Sequence, residues 1–239
     1  MNYGYYYGLL NVDQQIVYKT ICYAVARCAD EVEIHQIPMN ELRKICMAIT
    51  YDNPELFYWL PSLSEWKESR LTLKYRMEKD EVKSKILQIQ KERIEILEAC
   101  MQEGKASAEE FLAAIYKHFS EQIQYATEEL KAQENYKWIY DIEGTFLNKR
   151  AVCLGIAQAF NYVCQYLGIP SILVTGEAKL GGVSMNHAWN LVQVNGKYRH
   201  IDVTSQIYEP NSNSYQYFLL QDWELSDRKW PEDTYPAAV

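Results

Sequence analysis

Asn195-Gly196 lies between two β-rich runs, His187–Val194 and Lys197–Val203. Asn-Gly between such runs is the strongest short-range hairpin signal, because both central residues of a type I′ turn need positive φ. A two-residue turn also fixes the register. Val194 then faces Lys197, and Asp202 faces Trp189. His187 is two residues from Trp189, so it shares that face and lies diagonal to Asp202. Diagonal neighbours sit about 7–8 Å apart at the backbone, within reach of long side chains. A slip of one residue would send the two side chains to opposite faces. The turn thus commits the chain to a sheet with a carboxylate beside an imidazole.

A second element supplies a thiol. Residues 153–167 read CLGIAQAFNYVCQYL, with Ile156, Ala159, Phe160, Val163 and Leu167 on one helical stripe. Gly168-Ile-Pro170 gives the stop signal. Cys153 falls in the first turn, where unpaired N–H groups and the positive end of the dipole favour a thiolate. Gly155 is expected to leave room for a substrate beside it. Cys164 is eleven residues on, about 16 Å along the helix, and reads as core. A thiol at a helix start and a His–Asp pair on a hairpin make a nucleophile, base and orienter. The Cys153 backbone N–H is a ready oxyanion donor, and Tyr140, Trp138 and Gln158 are candidate side-chain helpers. Trp189 shares the site face, either walling a cleft or packing in the core. Sequence spacing does not bring Cys153 to the pair.

The rest of the chain is read more coarsely. Residues 13–29 and 39–50 carry helical periodicity, the first with Asp13 as its cap. Leu56–Leu60 and Leu71–Tyr75 are expected as short strands. Residues 78–103 form the clearest helix, with Gly104 as its stop. Ser107 and Glu110 form a capping box for the next helix. Further strands are expected at Ser171–Gly176 and Tyr215–Leu220, with a mobile loop at Gly181-Gly182. The expected organisation is a mainly helical region with a small hairpin at 1–104 and a mixed core at 105–239.

Composition closes several functional classes. The 239 residues carry a net charge of −8, which disfavours a broad grip on nucleic acid. The start, MNYGYYYGLL, lacks the basic and apolar regions of a signal peptide. No run approaches 18 apolar residues, so a cytoplasmic protein without a membrane partner is expected. The six Cys contain no C-x-x-C pair, and Cys153, His187 and Asp202 lack a fourth ligand at metal-site spacing. No metal or other cofactor is called for. Twenty Tyr and six Trp leave room for a peptide- or glycan-binding groove beside their ordinary packing roles.

Taken in order, Val152-Cys-Leu-Gly-Ile-Ala-Gln-Ala-Phe160, Gly168-Ile-Pro170, a turn at Gly176, Asn186-His-Ala-Trp-Asn190 and Ile201-Asp-Val-Thr204 resemble the transglutaminase-like superfamily in its bacterial branch. The resemblance covers roughly residues 107–236. It implies an α+β, papain-like core, a nucleophile helix packed on an antiparallel sheet, with Cys153, His187 and Asp202 as catalytic triad. The N-terminal helices resemble the extension that such bacterial proteins carry. Two departures stand out. Gly155-Ile156 replaces the family's frequent Gly-Tyr, and Asp202-Val-Thr-Ser-Gln206 replaces Asp-x-Thr-Trp-Asp. The implied activity is acyl transfer at a peptide or protein amide through a Cys153 thioester, by hydrolysis or transamidation. Trp189, Gly155 and Tyr140 are the expected substrate contacts. The competing reading is a non-catalytic binding module on the same fold.

Overall fold

The Asn195-Gly196 turn sets the main sheet as its chemistry dictates. The two residues take φ of 52° and 75°. Val194 pairs with Lys197, Leu191 with His200 and Asn190 with Ile201. The computed structural model describes residues 3–67, 69–102, 107–132, 136–180, 182–209 and 215–239. The chain divides into two compact units between Leu87 and Gln88. The expected stop at Gly104 lies outside the described residues, as does Gly181.

The first unit is helical with a small sheet. Helix α1 spans Tyr5–Gly8, α2 Val12–Ala26 and α3 Met39–Asp52. Asn11, rather than Asp13, caps α2. Its side chain accepts from the Gln14 N–H at 3.0 Å, and the Gln14 side chain accepts from the Asn11 N–H at 3.0 Å. Asp13 instead adds negative charge to the first turn, where it suits the helix dipole. Strands β1 (Glu31–Glu33), β2 (Glu65–Lys67) and β3 (Arg70–Thr72) form an antiparallel sheet with β3 in the middle. Leu56–Leu60 is not a strand. Pro54 opens a 3-10 turn, Pro61 opens another, and Trp59 makes an isolated bridge to Tyr75. Proline at each end fixes φ and leaves no room for a ladder. Under α1, the Asp52 carboxylate accepts from the Tyr6 N–H (3.1 Å), the Tyr7 N–H (2.7 Å) and the Tyr18 hydroxyl (3.2 Å). Helix α4, Lys79–Gln102, begins in this unit.

The second unit holds helix α5 (Ala108–Gln122), strand β4 (Gln124–Tyr125), helix α6 (Thr127–Lys131), strand β5 (Arg150–Ala151) and helix α7 (Cys153–Tyr166). The expected capping box starts α5, with the Glu110 N–H donating to Ser107 at 3.2 Å and the Ser107 N–H to Glu110 at 2.9 Å. Then come β6 (Ser171–Leu180), β7 (Val183–Val194), β8 (Lys197–Ile201), helix α8 (Val203–Tyr208), β9 (Phe218–Leu220) and β10 (Arg228–Lys229). These strands form one antiparallel sheet in the order β10-β6-β7-β8-β9.

Helix α7 packs on β6 and β7, and the Asn190 side-chain amide donates to the Ala157 carbonyl at 3.0 Å. Phe160 of α7 meets Phe119 of α5 edge-on at 6.2 Å, and Phe119 meets Phe146 at 6.0 Å. All three rings are buried. Burial of each such side chain contributes about 1.5–3 kcal/mol, which anchors the helix whose first residue is Cys153. Strand β6 runs past Gly176 to Leu180, which pairs with Val183. Gly176 is therefore within a strand, not a turn. A Cβ there would lie 2.2 Å from the Lys229 carbonyl oxygen, so glycine lets β10 close against β6. Among the described residues no helix is long and apolar enough to cross a membrane.

Candidate active site

Cys153 is placed by backbone on both sides. The β4–β5 pair sets Tyr125 opposite Ala151, and the Val152 N–H donates to the Ile139 carbonyl at 2.9 Å. Val152 is the N-cap of α7 and offers no side-chain acceptor to its first turn. Cys153 is half-buried at the first helical position. The Tyr125 hydroxyl lies against the Cys153 backbone, and burial together with the Cys153 side chain raises its pKa. The Tyr125 ring packs edge-on against Tyr208 at 4.8 Å.

His187 and Asp202 meet as the register requires. Imidazole Nε2 and carboxylate Oδ2 are 2.8 Å apart, and both side chains are buried. Asp202 also caps α8: its Oδ1 accepts from the Ser205 N–H at 3.0 Å. The two roles coexist because each uses a different oxygen. Burial opposes charge on Asp202, but His187, Arg228 and Ser205 overcome it and hold the carboxyl well below its ordinary range. An ionised carboxylate can only accept, so Nε2 carries the proton. Burial likewise opposes charge on His187, yet the Asp202 carboxylate wins and lifts the imidazole to about 9. That leaves Nδ1 as the exchanging nitrogen. Among the described residues it makes no formed hydrogen bond. The Cys153 side chain acts on the same ring and adds to its upward shift. The thiol is thus near enough to act on the imidazole, a pairing that substrate binding commonly tightens.

A second imidazole lies behind the first. Trp189 stacks on His187 with ring centroids 5.7 Å apart and planes at 20°. Its indole N–H donates to His200 Nδ1 at 3.0 Å, and His200 Nε2 meets Asp222 at 2.8 Å. An indole N–H only donates, so His200 Nδ1 is an acceptor and Nε2 carries the hydrogen. Burial lowers the His200 pKa, keeping with that neutral form. Trp230 closes the group edge-on against both rings.

The expected substrate contacts fare differently. Trp189 is 1% exposed, so its ring backs the imidazole and does not wall a cleft. Gly155 is buried against the chain itself. A Cβ there would lie 2.6 Å from the Ile139 carbonyl oxygen and 3.0 Å from that of Asp141. The missing side chain makes room for the 3-10 turn Lys137–Tyr140, not for substrate. Tyr140, at the end of that turn, is 45% exposed and close enough to Tyr125 to act on its hydroxyl.

Two contributors went unseen in the sequence. The Arg228 guanidinium donates to Asp202 through Nε (3.2 Å) and Nη2 (2.7 Å), and Ser205 Oγ donates to the same carboxylate at 2.7 Å. Ser205 carried a signal, since a side chain three residues after a capping Asp returns to the cap. Arg228 carried none: its strand position depends on pairing with β6.

Residues 96–203 match the model of the transglutaminase-like superfamily, a span that includes Cys153, His187 and Asp202. No curated protein matches the chain. Among solved structures, one described as a TGase aligns at 17% identity with a TM-score of 0.45, over 74% of this chain and 50% of its own. A candidate cysteine protease from Cytophaga hutchinsonii aligns at 23% identity with a TM-score of 0.33, over 39% of this chain and 30% of its own. The chain therefore spans half the length of the first and less than a third of the second. A helix that begins at a cysteine, packed on an antiparallel sheet that carries the His–Asp pair, is the architecture of residues 96–203, the segment that matches the transglutaminase-like superfamily.

Proposed function

We propose that the second unit is a thiol-dependent acyl-transfer enzyme acting on peptide or protein amides, with hydrolysis as its main outcome. Cys153 is the nucleophile, His187 the general acid and base, and Asp202 the group that orients the ring. The observation that carries this reading is a buried imidazole held at Nε2 by a carboxylate, with Nδ1 in no formed hydrogen bond among the described residues and Cys153 acting on the ring.

The chemistry follows from those positions. His187 Nδ1 takes the thiol proton, and the Cys153 sulfur attacks the amide carbonyl carbon. The carbonyl oxygen gains negative charge beside the N–H groups of the α7 first turn. The C–N bond breaks as His187 returns its proton to the departing amine, leaving a thioester. Water then gives a proton to His187 and attacks the thioester carbon. Loss of the sulfur, reprotonated by His187, releases the acid. Asp202 keeps its charge throughout and stabilises the imidazolium formed in each half. An amine in place of water would give transamidation. Tyr140, exposed beside Tyr125, is the residue this reading assigns as a substrate contact. Gly155 and Trp189 support the site from behind.

Site-resolved alkylation with iodoacetamide tests this reading across pH 5–9. The remaining thiols supply internal controls: burial pushes Cys46 and Cys164 up to about 12 and raises Cys22 and Cys28. Cys153 is expected to label at pH 6 at least about tenfold faster than these, and to slow about tenfold in His187→Ala. A Cys153 that labels with the control thiols, unaffected by His187→Ala, sinks the reading. Peptide amides would next be screened for a Cys153-bound acyl group, trapped at low pH and found by mass spectrometry.

A further inference from the structure

Arg228 is the one cation whose hydrogen bonds to Asp202 the structure describes besides His187, and it lies beyond the segment that matches the superfamily. We propose that Arg228 is a positioning residue of this site: its guanidinium binds Asp202 and Ser205 together and so fixes the carboxylate that aligns His187. The proposal rests on the assignment of His187 and Asp202 made above.

The geometry is that of a fork held from all sides. The Arg228 side chain is 0% exposed. Nε and Nη2 reach Asp202 Oδ2, and Nη2 also donates to Ser205 Oγ at 2.6 Å. Ser205 passes its own hydroxyl hydrogen to the same Oδ2. Nη1 donates to Asp227 at 2.5 Å, and the Tyr217 ring lies 5.1 Å beneath the guanidinium. The backbone is pinned in turn, with Arg228 opposite Ala178 of β6. Arginine suits this place because its planar donors serve two acceptors at fixed angles, which an ammonium cannot.

Ser205 is the second acceptor of this arrangement and returns its own hydrogen to Asp202. A serine there is small enough to admit the guanidinium and polar enough to bind it. The pair Ser205–Arg228 thus occupies the floor under Asp202. Removing the positive charge would leave a buried carboxylate whose remaining cation is the imidazole it must orient. Asp202 would then accept a proton under conditions where it now stays ionised, and the ring would lose its anchor. Among the described residues, the other titratable groups around the guanidinium are Asp227, His200, Tyr116, Tyr217, and Glu209 acting through the Tyr217 hydroxyl.

The test reads two channels on the full chain with isotopically labelled histidine. His187, assigned by its loss in His187→Ala, is titrated by NMR, and Cys153 alkylation is followed on the same samples. Wild-type His187 is expected to titrate near pH 9. In Arg228→Gln an acidic inflection should move up from its wild-type position toward the ordinary aspartate value of about 4, as Asp202 takes up a proton more readily. Arg228→Lys keeps the charge and loses the fork, so the inflection should stay at its wild-type position while Cys153 alkylation slows about tenfold. Should Arg228→Gln not fold, Arg228→Lys and Ser205→Ala carry the test, with Ser205→Ala giving a smaller upward move of the same inflection. A His187 titration and a Cys153 rate unchanged in these variants overturn the proposal. So does a loss of rate in Arg228→Gln and Ser205→Ala with no added or moved inflection in either, because simple destabilisation would produce it. A wild-type Cys153 that ignores His187 overturns the nucleophile reading instead, and that failure appears in the alkylation channel alone.

Discussion

Asp52 in the first unit and Asp202 in the second are buried alike, at 3% and 2% exposure, and end with opposite proton affinities. Each accepts several hydrogen bonds, so the number of donors does not separate them. Burial pushes the Asp52 carboxyl up to about 6, against the Tyr6 and Tyr7 N–H groups and the Tyr18 hydroxyl that favour its charged form. Asp202 meets the same penalty, but His187 and Arg228 overcome it. Neutral donors soften a desolvation penalty, whereas full positive charges reverse it. A carboxylate kept ionised can steer a second titratable group. One poised near 6 can hold a helix end and do little else.

The largest effect should separate the two in activity. Asp202→Asn is expected to cut amide turnover by about 10²–10⁴-fold, as loss of a ring-orienting carboxylate does, while Asp52→Asn leaves turnover unchanged. Equal losses in both variants would erase the distinction.

Stability comes next. Asp202→Ala leaves the Arg228 charge buried without its main partner and should cost about 3–5 kcal/mol in urea unfolding. Asp52→Ala releases two N–H groups and a hydroxyl and should cost about 1–3 kcal/mol. A larger cost at Asp52 would mean that the α1 cap, not the ion pair, is the more demanding contact.

The smallest effect is in the pH dependence, with windows that differ. Asp52 is raised in the folded chain, so the native state binds more protons between about 4 and 6, and the first unit loses stability as pH rises through that range. His187 is raised too, as a cation. Its contribution is full below about 6.5 and is lost as pH rises toward 9. Asp202, depressed, contributes above the ordinary aspartate value and loses that only well into acid. Hydrogen exchange resolved by segment should show Tyr6 and Tyr7 opening first between pH 4 and 6, and β7 and β8 opening first above pH 7.

Local rules made much of the second unit legible, and long-range pairing hid the rest. Asn195-Gly196 gave the register that brings His187 to Asp202, because a two-residue turn leaves no freedom once its type is known. The Ser107 capping box and the start of α7 at Cys153 were equally local. Asp13 lost the cap to Asn11 because both residues are competent, and the reciprocal bond from Gln14 decides between them. Trp189 and Gly155 were placed near the site, but their exposure depends on Trp230 and on the turn at Ile139, which no spacing in the chain announces. Arg228 is 26 residues from Asp202 and reaches it through a two-residue strand.

The two-residue turn at Asn195-Gly196 also sets a rule for how this region tolerates change. Its side chains can vary as far as positive φ allows, but its length cannot. One inserted residue in β8 between the turn and Asp202 would reverse which face every later side chain occupies, parting His187 from its carboxylate while leaving all the reactive groups in the chain. In a lineage of such proteins, substitutions could accumulate around this loop, whereas insertions and deletions should be filtered out there or arrive in compensating pairs.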